Sequence, residues 1–296
     1  MSALAPLRSL LFVPGDRPEL FAKAALAGAD ALVLDLEDSV TAARKEEARA
    51  AVAAELARPG PQPRFIRINP PRSGDLARDL SVLAPRDTQA VMVPKVEDAG
   101  DLEELDTRLA AFERAHGLER DAIAVLIVVE TSLGLRNLYD TLVGRSRVRG
   151  AGLATAEEGD LMLDLGGHWT PDGTALSYAR GKLVCDARAA GAAWVIDGAF
   201  MNLNDDAALD AEANLARTSG FNGKVAIHPR QVARINSVFT PTTAEITRAR
   251  RIVDAYRSAQ ERGRGATAVD GVMVDRANLR WAERILAAGA SMTDKS

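Results

Sequence analysis

The chain has 296 residues, 47% of them hydrophobic and 26% charged, with 41 acidic and 37 basic side chains and a formal charge of −4. A chain of this length hides roughly 75% of its unfolded surface, and its composition is globular rather than disordered. The mild acidity and the lack of a long Lys/Arg run exclude nucleic acid and an anionic membrane as partners, and no stretch approaches the roughly 18 apolar residues of a spanning helix.

Short runs rich in Val, Ile and Leu alternate with longer, Ala-rich, charged segments of helical spacing. The first apolar run, 9–13, precedes a helix predicted at 17–27, with Pro18 early and Gly28 past its end. The second, 31–36, leads through Asp35, Glu37 and Asp38 to a helix at 41–57 that stops before Pro59 and Gly60. The third, 65–68, carries Arg67 and ends at Asn69. The fourth, 90–93, ends in Pro94 and Lys95, ahead of a helix at 99–115. The fifth, 123–129, ends in Glu130 and Thr131, ahead of a helix at 135–143. The sixth, 148–154, leads into Glu157, Glu158, Gly159 and Asp160. A helix at 177–190 stops at Gly191, the seventh run, 194–196, ends in Asp197, and a helix at 206–218 stops near Gly220. The eighth run, 224–227, ends in His228 and Pro229.

Runs that are apolar without alternation suit strands buried on both faces of a parallel sheet. Eight strand–helix units in a row predict a closed (β/α)8 TIM barrel over residues 1–240. The alternative is an open doubly wound sheet, but neither G-x-G-x-x-G nor G-x-x-x-x-G-K-[ST] occurs. Past the barrel come a helix at 243–260, a Gly-rich connector at 263–265, a segment at 269–274 and a helix at 278–288. Residues 241–296 thus form a C-terminal helical extension, too short to be a domain and expected to pack on a neighbouring subunit. Cys185 is the only cysteine, so no intramolecular disulfide can form. Residues 1–14 hold only a short apolar run at 10–13, less than a signal-peptide core. Both features predict a cytoplasmic protein.

Active sites of such barrels sit where strands end. Acids and bases beside very apolar runs are costly unless paired or metal-bound. Carboxylates converging with Arg67 and Lys95 suit a hard cation such as Mg²⁺, which keeps open positions for substrate oxygens. Arg67 can grip a substrate carboxylate with two prongs. Other readings stay open at single residues. Glu130 could pair with an interior arginine, and Asp160 could be a helix N-cap. His228 reads as a hydrogen-bonding residue of the barrel floor, and Cys185 as helix packing. His116, His168 and His228 have no zinc spacing.

Several stretches then match a known pattern: LRSLLFVPG at 7–15, GADALVLDLED at 28–38, RIN at 67–69, VPKVE at 93–97, VVET at 128–131 and DLM at 160–162. GFNGK at 220–224, IHPRQ at 227–231 and GVMVD at 271–275 complete the series. In this order and over nearly the whole chain, they resemble the citrate lyase β-subunit-like family of CoA-ester lyases, which includes malyl-CoA and citramalyl-CoA lyases. The resemblance implies Mg²⁺ held by Glu130 and Asp160, with Glu130 also near substrate, and Arg67 on the substrate carboxylate. It implies Asp275 as a catalytic acid supplied by a neighbouring subunit, hence a homotrimer or a multiple of one. It implies cleavage of a 3-hydroxyacyl-CoA to acetyl-CoA and a 2-keto acid. Arg8, Lys45 and Lys95 become candidate CoA contacts or supports of the site, with Lys45 reading equally as a solvated helix residue.

One departure stands out: the family has Gly three residues before the metal Asp, where this chain has Glu157, and its glycine is Gly159. The turn that holds the substrate carboxylate is therefore altered and gains acids. The same site also suits a thioesterase or synthase outcome, or the β subunit of a carrier-protein-dependent citrate lyase. A metal-dependent aldolase on free 2-keto acids would want a His near the first strand, and none lies between Met1 and Leu36. An inactive accessory barrel would have lost a ligand, yet Arg67, Glu130, Asp160 and Asp275 are all present.

Overall fold

Each of the eight apolar runs is a strand in the computed structural model, which describes residues 7–293. The strands are β1 (Ser9–Pro14), β2 (Ala31–Asp35), β3 (Arg64–Arg67), β4 (Thr88–Val93), β5 (Ala124–Val129), β6 (Val148–Leu153), β7 (Trp194–Asp197) and β8 (Gly223–Ala226). They pair in parallel in chain order, and β8 returns to β1 through Leu10 and Val225, which closes the TIM barrel. Full burial of β2 and β7 is what their unbroken apolar sequences require, since both faces of a barrel strand are covered.

The helices of this unit are α1 (Phe21–Ala25), α2 (Lys45–Leu56), α3 (Leu76–Leu80), α4 (Glu103–Ala115), α5 (Ser132–Leu142), α6 (Asp160–Leu165), α7 (Ser177–Ala189), α8 (Asp206–Ser219) and α9 (Pro229–Phe239). The helices predicted at 17–27 and 41–57 open as 3-10 turns, Pro18–Leu20 and Ala42–Arg44. Two helices go beyond the sequence reading. The five residues of α3 are too few to show a period. In α9, Pro229 starts the helix, where its fixed φ and missing N–H cost nothing, and Val232, Ile235 and Phe239 are buried.

Alternate strand residues serve two cores. Leu11, Val13, Leu32 and Leu34 share one buried cluster with Val52 and Leu56 of α2. The other alternates face the barrel axis. Phe65 of β3 and Trp194 of β7 come from opposite walls, and their ring centroids are 5.3 Å apart, so they fill the interior. At the N-terminal ends of the strands, Arg147 joins Glu113 of α4 at 2.9 Å and Asp121 at 3.1 Å. This cluster ties α4 and the loop before β5 to the start of β6.

Residues 7–239 make up this unit, and the chain from Thr240 onward forms a second one. It holds α10 (Thr243–Glu261), β9 (Thr267–Val269), β10 (Val272–Val274) and α11 (Arg276–Thr293). Thr242 and Glu245 form a capping box at the start of α10. Ile252, Val253 and Tyr256 of α10 share a small core with Val274 and Ala282. The segment predicted at 269–274 is a hairpin instead. Asp270 and Gly271 take φ of 51° and 75°, and a two-residue Asp-Gly turn with both φ positive folds β10 back onto β9. Among the described residues, no helix is long and apolar enough to cross a membrane.

Candidate active site

The mouth is organised by a pair fixed in the sheet register. Asp35 at the end of β2 sits opposite Arg67 at the end of β3. Registered neighbours in parallel strands point to the same side, so the two side chains meet. Arg67 Nε donates to Asp35 Oδ1 at 2.7 Å and Nη2 donates to Oδ2 at 2.6 Å. Its Nη1 lies 2.8 Å from Glu37 Oε2, and the guanidinium stands 4.8 Å above the Phe12 ring. Burial alone would lift the Asp35 carboxyl, but the bonds from Arg67 hold it below its ordinary value. The Nε–Nη2 edge of Arg67 is thus committed, and a substrate carboxylate would be met by its remaining donors.

Glu130 follows β5 directly and is 6% exposed. Its Oε2 is buried with no hydrogen-bond partner. Burial, and then the Glu37 charge, push its carboxyl up to about 8. No interior arginine satisfies that oxygen, which argues against Glu130 as a purely structural acid. Asp160 is the first residue of α6, not its cap; Gly159 holds the cap position. Its Oδ2 lies 2.8 Å from Lys95 Nζ. That ammonium also stands 3.3 Å from Glu37 Oε1 and 3.9 Å from Asp38 Oδ1. Burial pushes Glu37 up to about 7, against the pull of Arg67. Partial burial disfavours the charged Lys95, yet the Asp160 contact and the Glu37 charge hold it well above the usual lysine range.

Arg67, Glu130 and Asp160 border one cavity of ≈ 350 Å³, with Phe12, Met92 and Leu126 on its apolar walls. The volume suits a small acid and part of a longer thioester. Among the described residues, no group of three or more His, Cys, Asp or Glu side chains encloses a metal. Two carboxylates on one cavity, one with a buried oxygen lacking any partner, nonetheless fit a hard cation that fills its shell with water and substrate oxygens. Glu130 and Asp160 are the residues that could hold it. Gly198 shapes the far wall. A Cβ there would lie 2.6 Å from Leu153 O and from Thr155 N, so only glycine lets the β7 end approach the β6 end.

The remaining sequence candidates fall elsewhere. Asp275 belongs to the C-terminal unit, between β10 and α11, where its Oδ1 accepts from Ala277 N at 2.8 Å and Asn278 N at 3.3 Å. Lys45 is neither a free CoA contact nor a solvated residue. Its ammonium donates to Leu36 O, Glu37 O and Asn69 Oδ1 at 2.7, 2.8 and 2.7 Å, which uses all three protons and ties the β2 loop to the β3 end. Arg8 precedes β1, at the floor, and grips Asp30 through Nε and Nη2, both at 2.8 Å. His228 is at the end of β8 rather than on the floor, where its Nδ1 accepts from Arg230 N at 3.1 Å. Cys185 lies on the exposed side of α7, not in its packed face. In the altered turn, Glu158 and Gly159 border the cavity, and Gly159 N donates to Ala156 O at 3.1 Å. The roles of Glu37 and Phe12 were missed from the sequence. Glu37 was visible only as one acid of three, and Phe12 looked like any apolar strand residue.

A family model described as HpcH/HpaI aldolase/citrate lyase matches residues 8–229, and one described as C-C bond lyase of the TIM-barrel fold matches 182–292. The chain is 33% identical to the citrate lyase subunit beta of Leuconostoc mesenteroides subsp. cremoris, covering 94% of this chain and 92% of that protein. It is 32% identical to a (3S)-malyl-CoA thioesterase of Cereibacter sphaeroides, covering 95% and 94%. The crystal structure of the protein CitE from Mycobacterium tuberculosis in complex with magnesium, acetoacetate and coenzyme A superposes with a TM-score of 0.78 at 33% identity, covering 98% of this chain and 100% of that one.

Proposed function

The chain belongs to the HpcH/HpaI aldolase/citrate lyase family, and from that premise we propose that it is a Mg²⁺-dependent carbon–carbon lyase that cleaves a 3-hydroxyacyl-CoA to acetyl-CoA and a 2-keto acid. The observation that carries this reading is the buried, partnerless Glu130 Oε2 on the cavity that Asp160 and Arg67 also border. The relative crystallised with magnesium, acetoacetate and coenzyme A supports both the metal and the thioester class.

In this reading Glu130 and Asp160 hold Mg²⁺, whose contribution when bound is Lewis-acid polarisation of the acid portion's oxygens. Arg67 orients the substrate carboxylate with the donors that Asp35 and Glu37 leave free. Fixed by two carboxylates and backed by Phe12, it presents its charge without reorganising. A general base accepts the hydroxyl proton, the O–H electron pair forms the new carbonyl, and the carbon–carbon bond breaks. The released electron pair becomes the thioester enolate. Asp275, brought by a neighbouring subunit of a homotrimer or a multiple of one, delivers a proton to the enolate carbon and completes acetyl-CoA.

A second reading has its own support: the thioesterase relative matches as fully as the citrate lyase subunit. Glu158 on the cavity adds an acid that a hydrolytic outcome could use to activate water. Products separate the two. With Mg²⁺ and malyl-CoA, the lyase yields glyoxylate and acetyl-CoA, whereas hydrolysis yields malate and free CoA. Malate with stoichiometric free thiol would overturn the lyase assignment. For Asp275, Asp275→Ala should keep the wild-type oligomer and lose turnover, and full activity in that variant would remove it from the reaction.

A further inference from the structure

Lys95 is built into the mouth at some conformational cost. It follows β4 through Pro94 with φ of 54°, a left-handed backbone that long side chains seldom adopt. That geometry aims the side chain into the mouth, where its ammonium lies 2.8 Å from Asp160 Oδ2 and 3.3 Å from Glu37 Oε1. Five carboxylates, Asp35, Glu37, Asp38, Glu130 and Asp160, gather there against two cations. Arg67 neutralises Asp35 and is locked in place. Lys95 is the adjustable cation, about one-third exposed and therefore able to swing toward solvent.

We infer that Lys95 is a resident counter-cation competing with the metal for Asp160. Its ammonium sits on Asp160 Oδ2 and near Glu37 Oε1, where it offsets the repulsion among the acids. A metal arriving at Glu130 and Asp160 displaces it, and the like charges then drive it away. Lys95 thereby sets the metal affinity of the site. This inference rests on the proposed assignment of Glu130 and Asp160 as the metal pair.

Mg²⁺ binding to the full chain, measured by calorimetry in wild type, Lys95→Met and Lys95→Gln, tests it, along with thermal midpoints in EDTA and in Mg²⁺. Removing a unit charge this close to the ligands should tighten Mg²⁺ binding about tenfold. The midpoint in EDTA should fall, because the acids lose their partner. The rise on adding Mg²⁺ should grow to match. Equal or weaker Mg²⁺ affinity in both variants would overturn the inference. Glu130→Gln and Asp160→Asn, run alongside, keep the two readings apart. If these bind Mg²⁺ as wild type does, the metal pair itself is wrong. If they lose it while the Lys95 variants match wild type, only the role of Lys95 fails.

Discussion

Two sets of charged side chains lie near the strand ends of this barrel, and they are built on opposite plans. Between β7, β8, α7 and α8, two cations meet two acids. Lys224 donates to Asp197 Oδ2, Glu212 Oε1 and Gly198 O at 2.7, 2.6 and 2.7 Å, and Arg180 Nε donates to Asp197 Oδ1 at 3.1 Å. All four side chains are almost completely buried. At the mouth, five acids face only Arg67 and Lys95, Glu130 Oε2 has no partner, and a cavity opens beside them. Burying a charge is tolerable when geometry returns the lost hydration. The closed set comes close to meeting that condition by itself: two cations balance two acids, and only Arg180 Nη2 lacks a hydrogen bond, 3.7 Å from Glu212 Oε1. At the mouth the acids outnumber the cations, and the excess shows as the raised carboxyls of Glu37 and Glu130.

The sharpest way to break the comparison is to neutralise one acid in each plan. Glu130→Gln should lower kcat/KM about 10³-fold or more, a loss of about 4 kcal/mol of transition-state stabilisation. In EDTA the same variant should be at least as stable as wild type, since a buried acid without a partner becomes a neutral amide. A clear loss of stability by urea melts would make Glu130 a structural residue. Lys224→Met inverts the pattern. It removes the partner of Glu212 Oε1 and of Asp197 Oδ2, leaving only Arg180 beside them, and should cost about 3–5 kcal/mol in the urea melt, while the folded fraction binds Mg²⁺ like wild type. Asp160→Asn should abolish Mg²⁺ binding by calorimetry yet shift stability in EDTA by no more than about 1 kcal/mol, because its pair with Lys95 is half exposed and screened.

The smallest effect tests the paired acid within the mouth. The folded-state value of Asp35 lies below its ordinary one, so its contribution to stability is fully present above about pH 4. It is lost as pH falls through the lower folded value. Asp35→Asn should therefore flatten part of the acid limb in urea midpoints recorded between pH 6 and pH 2. An unchanged limb would show that Arg67 does not draw on Asp35 for its placement.

The two plans also explain what could be read in the sequence. The strands were legible because burial on both faces leaves short apolar stretches without polar alternation, clearest in β2 and β5 and weakest in β3 and β8, which carry Arg67 and Lys224. Arg67, Glu130 and Asp160 stood out as charges set against such runs. Asp197 stood out in the same way, but its pairing did not, because Arg180, Glu212 and Lys224 reach it only through the fold. The left-handed turn at Lys95 follows a proline and involves a residue type that gives no hint of it. Cys185 was misread because an Ala-rich helix such as α7 hardly distinguishes its faces. The hairpin at Asp270 and Gly271 had a usable signal, a two-residue Asp-Gly turn between valines.

The seam between β1 and β8 has a consequence for how the protein is made. Leu10 cannot meet Val225 until three-quarters of the chain has been synthesised, so one edge of the very apolar first strand, the one away from β2, stays unpaired throughout. Contacts so distant in sequence form slowly. The five clustered acids, Arg67 and Lys95, by contrast, are all contributed between Asp35 and Asp160. The site's raw material therefore emerges from the ribosome well before the wall that completes it, and newly made chains should depend on shielding of β1 during that interval.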